Sequence, residues 1–133
     1  MSQWVEMVLR LLVATALAAV IGYDREVRGK AAGMRTHVMI ALGAAAFTLA
    51  SIYGFGGADV SRVASGVVAG VGFLGAGVIF RGGTGSSVAG LTTAASIWVT
   101  AGVGLAAGCG LYALAVAVAL LALIVLRLPH IKD

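Results

Sequence analysis

From Trp4 onward the chain reads as long apolar runs separated by short polar connections. The runs cover about 4–22, 37–55, 63–80, 90–107 and 110–128. Each is near the roughly 20 residues that an α-helix needs to cross about 30 Å of hydrocarbon. Apolar residues occupy consecutive positions rather than alternate ones, so the pattern predicts helices and not the strands of a membrane barrel. The single proline, Pro129, follows the last run and interrupts none of them. The expected fold class is an all-α integral membrane protein. It is a bundle of about five transmembrane helices over residues 1–128, with a short cytoplasmic tail at 129–133.

The runs differ in kind. The fifth, LYALAVAVALLALIVL, has Tyr112 as its polar handle and is otherwise apolar all round, which suits a lipid-facing helix. The third, VASGVVAGVGFLGAGVIF, holds Gly66, Gly70, Gly72, Gly75 and Gly77. Gly66 and Gly70 form a GxxxG pair, and small residues in membrane helices let backbones approach closely. Gly66, Gly70, Gly72 and Gly77 are therefore expected packing positions, against a neighbouring span or a second copy of the chain. A homodimer is expected on this ground. The fourth run is the most polar. Thr92, Ser96, Thr100, Gly104 and Gly108 recur every four residues and so share one face. The stripe reads first as an interhelical seam, and alternatively as the wall of a polar pathway.

Composition agrees with the pattern. The 133 residues are 61% hydrophobic and 11% charged, with a mean hydropathy of +1.08. Soluble domains carry about 25% charged residues, and a soluble chain this short could not cover so much apolar surface. The formal net charge is +4. The basic residues sit at span ends, so topology explains them and nucleic acid is not an expected partner. The start of the chain lacks the basic region and pattern of a cleaved signal, with Glu6 and Arg10 inside its first run. Cys109 is the single cysteine, which excludes an intrachain disulfide.

The positive-inside rule gives one consistent orientation. Arg25, Arg28, Lys30 and Arg35 place the first connection in the cytoplasm. GGADVSR, with Asp59 and Arg62, lies outside, and RGGTGSSVAG, led by Arg81, lies inside. The GCG turn at Cys109 is outside, and the tail with Arg127 and Lys132 is inside. The N-terminus is thus expected outside and the C-terminus inside.

Charge concentrates in GYDREVRGKAAGMRTH, residues 22–37, which holds Asp24, Arg25, Glu26, Arg28, Lys30 and Arg35. No enzyme is expected. His37 and His130 have no partner at metal-ligand spacing, and GTGSS lacks the lysine of a phosphate loop. Glu6 and Arg10 form an i,i+4 pair. Asp24 and Glu26 are the one candidate metal pair, and Mg²⁺ the one cofactor they raise, since it binds through one or two carboxylates with waters retained. Against this, Asp24–Arg28 and Glu26–Lys30 are also at i,i+4 spacing, and the nearby cations repel a divalent ion. Arg35 and Thr36 abut the second run, with Gly29 and Gly33 before them. They suit a lipid headgroup, an anionic ligand or a partner protein at the inner face, a patch Arg81 could join.

GYDREVRGKAAGMRTH, GVGFLGAGVIFRGG and GLTTAASIWVTAGVG, in this order and spacing, resemble the membrane domain of the MgtC/SapB family, from about Gly22 to Gly104. The resemblance implies a multi-pass protein of the bacterial inner membrane, associated with Mg²⁺ limitation and, in some pathogens, with survival inside host cells. It implies either a regulator of other membrane machinery, such as the F-type ATP synthase, or a transporter of Mg²⁺ or another ion working as an oligomer. Carried over by motif, the positions of interest are Asp24, Arg25, Glu26, Gly29, Gly33, Arg35 and Thr36, then Arg81, then Thr92, Thr93, Ser96 and Trp98. Many members continue into a soluble cytoplasmic domain, whereas this chain stops at Asp133.

Overall fold

The computed structural model describes residues 2–56, 59–81 and 88–129, with backbone only for Phe80, Arg81, Val88 and Ala89. In chain order the elements are α1 (Gln3–Val27), α2 (Met34–Gly54), α3 (Ser61–Ala76), β1 (Phe80–Arg81), β2 (Val88–Ala89), α4 (Leu91–Gly108) and α5 (Tyr112–Leu126). Among the described residues, α1, α2 and α4 are long and apolar enough to cross a membrane. With 16 and 15 residues, α3 and α5 are about 24 Å and about 22 Å long at 1.5 Å per residue. Both fall short of the predicted spans.

Local chemistry explains the boundaries. Ser2 caps α1, its hydroxyl accepting from the Val5 amide at 3.2 Å. No glycine or proline interrupts residues 23–28, so α1 runs on through Asp24, Arg25 and Glu26 to Val27, five residues past the predicted end. It stops where Gly29 takes a φ of 69°, the left-handed conformation that ends many helices. The α3 helix ends at Ala76, before the β-branched Val78 and Ile79. The chain then enters a hairpin that the hydrophobic pattern missed, with Phe80 opposite Ala89 and Arg81 opposite Val88.

α4 is the central helix, packed against α1, α2, α3 and α5. Small residues let it sit close. A Cβ on Gly104 would lie 2.8 Å from Ala41 Cα, and one on Gly108 would lie 2.9 Å from Thr48 Cβ. The core beside this contact is built from alanines, including Ala14, Ala18, Ala41, Ala45 and Ala107, with Val103. The expected glycine faces of α3 behave differently. A Cβ on Gly66, Gly70 or Gly72 would meet nothing within 4 Å, and one on Gly77 would meet its own helix at Leu74. Among the described residues, close backbone approaches between helices therefore fall on the fourth-helix stripe and on Gly22 of α1, where a Cβ would lie 3.1 Å from His37 Cβ. Gly75 carries the close approach of α3 to α4, where an added Cβ would lie 3.4 Å from Ala94 O.

A polar cluster ties the helices at the end away from residues 22–37. Arg10 Nε donates to Glu6 Oε2 at 2.9 Å, as its spacing predicts, and Arg10 Nη1 donates to the Gly108 carbonyl at 3.0 Å. The Tyr112 hydroxyl donates to Glu6, and the Arg10 guanidinium lies 5.9 Å from the Tyr53 ring centre. α1, α2, α4 and α5 all meet here.

Candidate functional site

The opposite end of the bundle holds a second polar layer. Glu6 and Arg25 are separated by about 28 Å along α1 at 1.5 Å per residue, close to the thickness of the hydrocarbon. Arg25 is 2% exposed, and its Nη2 donates to Thr93 Oγ1 on α4 at 3.1 Å. His37, on the first turn of α2, is fully buried. Its Nδ1 lies 2.9 Å from the Gly33 carbonyl and its Nε2 lies 2.9 Å from Ser96 Oγ on α4. A carbonyl only accepts, so Nδ1 carries the ring proton. In the neutral ring Nε2 then accepts from Ser96, whose single proton is shared with the Thr93 carbonyl at 2.7 Å. Thr93 thus joins α1 to α4 through its hydroxyl, and receives the Ser96–His37 link from α2 through its carbonyl. One turn beyond Ser96, the buried Thr100 hydroxyl has no hydrogen-bond partner among the described residues.

The charged residues beside Arg25 turn to other neighbours. Asp24 is 5% exposed, and its Oδ1 accepts from Arg28 Nε at 3.2 Å and lies 3.3 Å from Arg127 Nε, just beyond α5. Glu26 Oε1 accepts from the Met34 amide at 3.1 Å and satisfies a free N–H at the start of α2. The expected Glu26–Lys30 pair is replaced by this bond, because α1 ends before Lys30. Asp24 and Glu26, the candidate metal pair, share no partner. Two positions apart on a helix, their side chains leave the axis about 200° from each other. Among the described residues, no group of three His, Cys, Asp or Glu gathers as a metal site.

Between α2 and α3 runs a groove of about 1130 Å³. Its polar end is lined by Glu26, Gly33, Arg35 and Thr36, and its length by apolar residues and by Gly43, Gly66 and Gly70.

The sequence matches the MgtC family over residues 11–131. The chain belongs to the MgtC family. YhiD of Escherichia coli (strain K12) is 44% identical over 134 aligned residues, covering 94% of this chain and 61% of that protein. SrpB of Synechococcus elongatus is 43% identical over 123 residues, 84% of this chain and 68% of that protein. MgtC of Brucella abortus (strain 2308) is 45% identical over 98 residues, 74% of this chain and 40% of that protein. The chain therefore spans about three fifths of the length of its E. coli relative. No solved structure matches.

The family motifs fall into three groups in space. Arg25, Thr93 and Ser96 meet in the buried layer. Glu26, Gly33, Arg35 and Thr36 line the groove mouth. Asp24 stands apart with Arg28 and Arg127. Gly29 forms the exposed turn after α1. Thr92 is half-buried at the start of α4. Trp98 does not share the inward face of Thr93, Ser96 and Thr100, being 55% exposed on the outside of the bundle. The side chain of Arg81 lies outside the described residues. Sequence reasoning missed His37 as a member of the layer. Its signal was a histidine within the first turn of a predicted helix, four residues after Gly33, with hydroxyls on the most polar span to receive it.

Proposed function

We propose that this MgtC family member is a non-enzymatic regulator of other membrane machinery, with the F-type ATP synthase as the machine to test. It works as a multi-pass protein of the bacterial inner membrane, with its N-terminus outside and its C-terminus inside. One observation carries the reading: the charge buried between α1 and α4 is the cation Arg25, while one oxygen of each neighbouring carboxylate is engaged and Asp24 Oδ2 is buried without a hydrogen-bond partner among the described residues. Asp24 is held by two arginines and Glu26 by a backbone amide. A Mg²⁺ path needs oxygen ligands facing the ion, and a buried guanidinium repels it. Co-purification from membranes, and co-reconstitution with the ATP synthase, test the reading. Altered ATP-driven proton pumping in the presence of the chain is expected. Unchanged pumping together with no co-purified synthase would refute the choice of machine.

The second reading is an oligomeric transporter of Mg²⁺ or another ion. Its support is the name of the E. coli relative, which proposes magnesium transport, and the unpartnered Thr100 hydroxyl on α4. Ion flux through the isolated chain separates the two readings.

A further inference from the structure

The groove between α2 and α3 is larger than the roughly 300–1,000 Å³ of small-molecule pockets, at about 1130 Å³. It is also elongated. Its α2 wall runs from Thr36 to Phe47, about 16 Å at 1.5 Å per residue. Glycines give it depth on both walls. Gly43 belongs to α2, Gly66 and Gly70 to α3, and a Cβ on any of them would meet nothing within 4 Å.

The groove has a polar end and an apolar end. Arg35 and Thr36 are exposed at its mouth, and among the described residues Arg35 makes no ion pair. Glu26 lines the same mouth, but its Oε1 is held by the Met34 amide. Arg28 and Lys30 lie at this end of the bundle, which the charge rule assigns to the cytoplasmic side. At the far end, Phe47 and Val63 carry no charge.

A free cation at headgroup depth, continuous with a long apolar slot, has the chemical profile of one lipid class. Basic pockets between transmembrane helices on the cytoplasmic side take anionic headgroups. A small soluble anion would use the mouth and leave the slot empty. A packed helix would fill the slot and leave Arg35 unanswered. We infer that the α2–α3 groove binds an anionic phospholipid, with its phosphate at Arg35 and Thr36 and an acyl chain over Gly43, Gly66 and Gly70. The site is independent of which partner the protein regulates.

Native mass spectrometry of the detergent-purified chain, titrated with phosphatidylglycerol and phosphatidylcholine, tests this. The wild type is expected to retain phosphatidylglycerol preferentially. Arg35→Gln, at an exposed position, should reduce that preference about fivefold, the effect of one near-surface cation on anionic lipid. Gly70→Leu fills the slot and should lower retention of both lipids. Unchanged phosphatidylglycerol retention in both variants overturns the inference. Displacement of the lipid by glycerol phosphate alone also overturns it, reducing the site to its mouth. Loss of a dimer in Gly70→Leu with lipid retention unchanged overturns it too, and gives the groove to a second copy of the chain.

Discussion

Gly104 and Gly70 are chemically identical residues on two apolar helices, and the fold predicts opposite responses to the same added methyl group. In Gly104→Ala the new Cβ would stand 2.8 Å from Ala41 Cα and 2.9 Å from Ala41 C. Ordinary carbon–carbon contacts are about 3.5–4.0 Å, so α2 and α4 must separate by about 1 Å. The colliding atoms are backbone and cannot rotate away, which puts the cost near the top of the roughly 1–3 kcal/mol for overpacking. Replacing helical glycine by alanine returns about 1 kcal/mol. The net loss is about 2 kcal/mol, or about 8 °C in Tm for a chain of this length. In Gly70→Ala the methyl meets nothing within 4 Å, so the helix gain stands alone and Tm stays level or rises by up to about 4 °C. Thermal unfolding in detergent, followed by the fluorescence of Trp4 and Trp98, measures both. A Gly104→Ala protein as stable as the wild type, or a Gly70→Ala protein lowered as much as Gly104→Ala, would refute the assignment of the tight seam to α2 and α4.

Other consequences follow from single contacts. Tyr112→Phe removes the hydroxyl that binds Glu6 and should lower Tm by less than Gly104→Ala; an unchanged Tm would deny the clamp between α1 and α5. Asp59 Oδ1 accepts from the Ser61 amide at 3.0 Å and hydroxyl at 2.7 Å, which holds its carboxyl below the usual carboxylate range. A depressed folded value means that the contribution is present above the unfolded pKa and lost as pH falls through the folded one. Amide exchange at the start of α3 should therefore quicken only on acidification below about pH 4, and an Asp59→Asn protein that keeps the same pH dependence would contradict this. Cys109 is partly exposed in the turn between α4 and α5. In intact cells, with the outer membrane made permeable, a maleimide that cannot cross the inner membrane should label it. Labelling that requires disruption of the inner membrane would reverse the proposed orientation.

Much of this architecture was legible because hydrophobic runs and short connections leave few ways to arrange helices. The Thr92–Gly108 stripe gave the seam of α4 from four-residue spacing alone, and Ser96, Thr100, Gly104 and Gly108 are all buried there. The Glu6–Arg10 and Asp24–Arg28 pairs were legible for the same reason, since i,i+4 neighbours meet on any helix. What failed was non-local. The Arg25–Thr93 and His37–Ser96 bonds join residues 68 and 59 positions apart, and no local pattern says which face of α1 turns inward. Charge between apolar runs ordinarily marks a water-facing connection. Arg25 instead lies inside the bundle, because α1 continues past Gly22. The Glu26–Lys30 pair failed because its spacing holds only if the helix continues, and Gly29 ends it. The α3 glycines suggested packing, but glycine in a membrane helix marks room for a close neighbour without naming one. Here the room at Gly66 and Gly70 opens on a groove.

The proposed regulation without Mg²⁺ conduction rests on the Arg25 guanidinium buried between α1 and α4 and on the bonds that engage Asp24 Oδ1 and Glu26 Oε1. The direct measurement is Mg²⁺ entry into proteoliposomes containing this chain alone, read with an entrapped Mg²⁺-sensitive dye. The predicted result is entry equal to that of protein-free liposomes, for the wild type, Arg25→Met and Asp24→Asn alike. Entry above that level with the wild type, reduced by Asp24→Asn, would contradict the account and establish the transport reading.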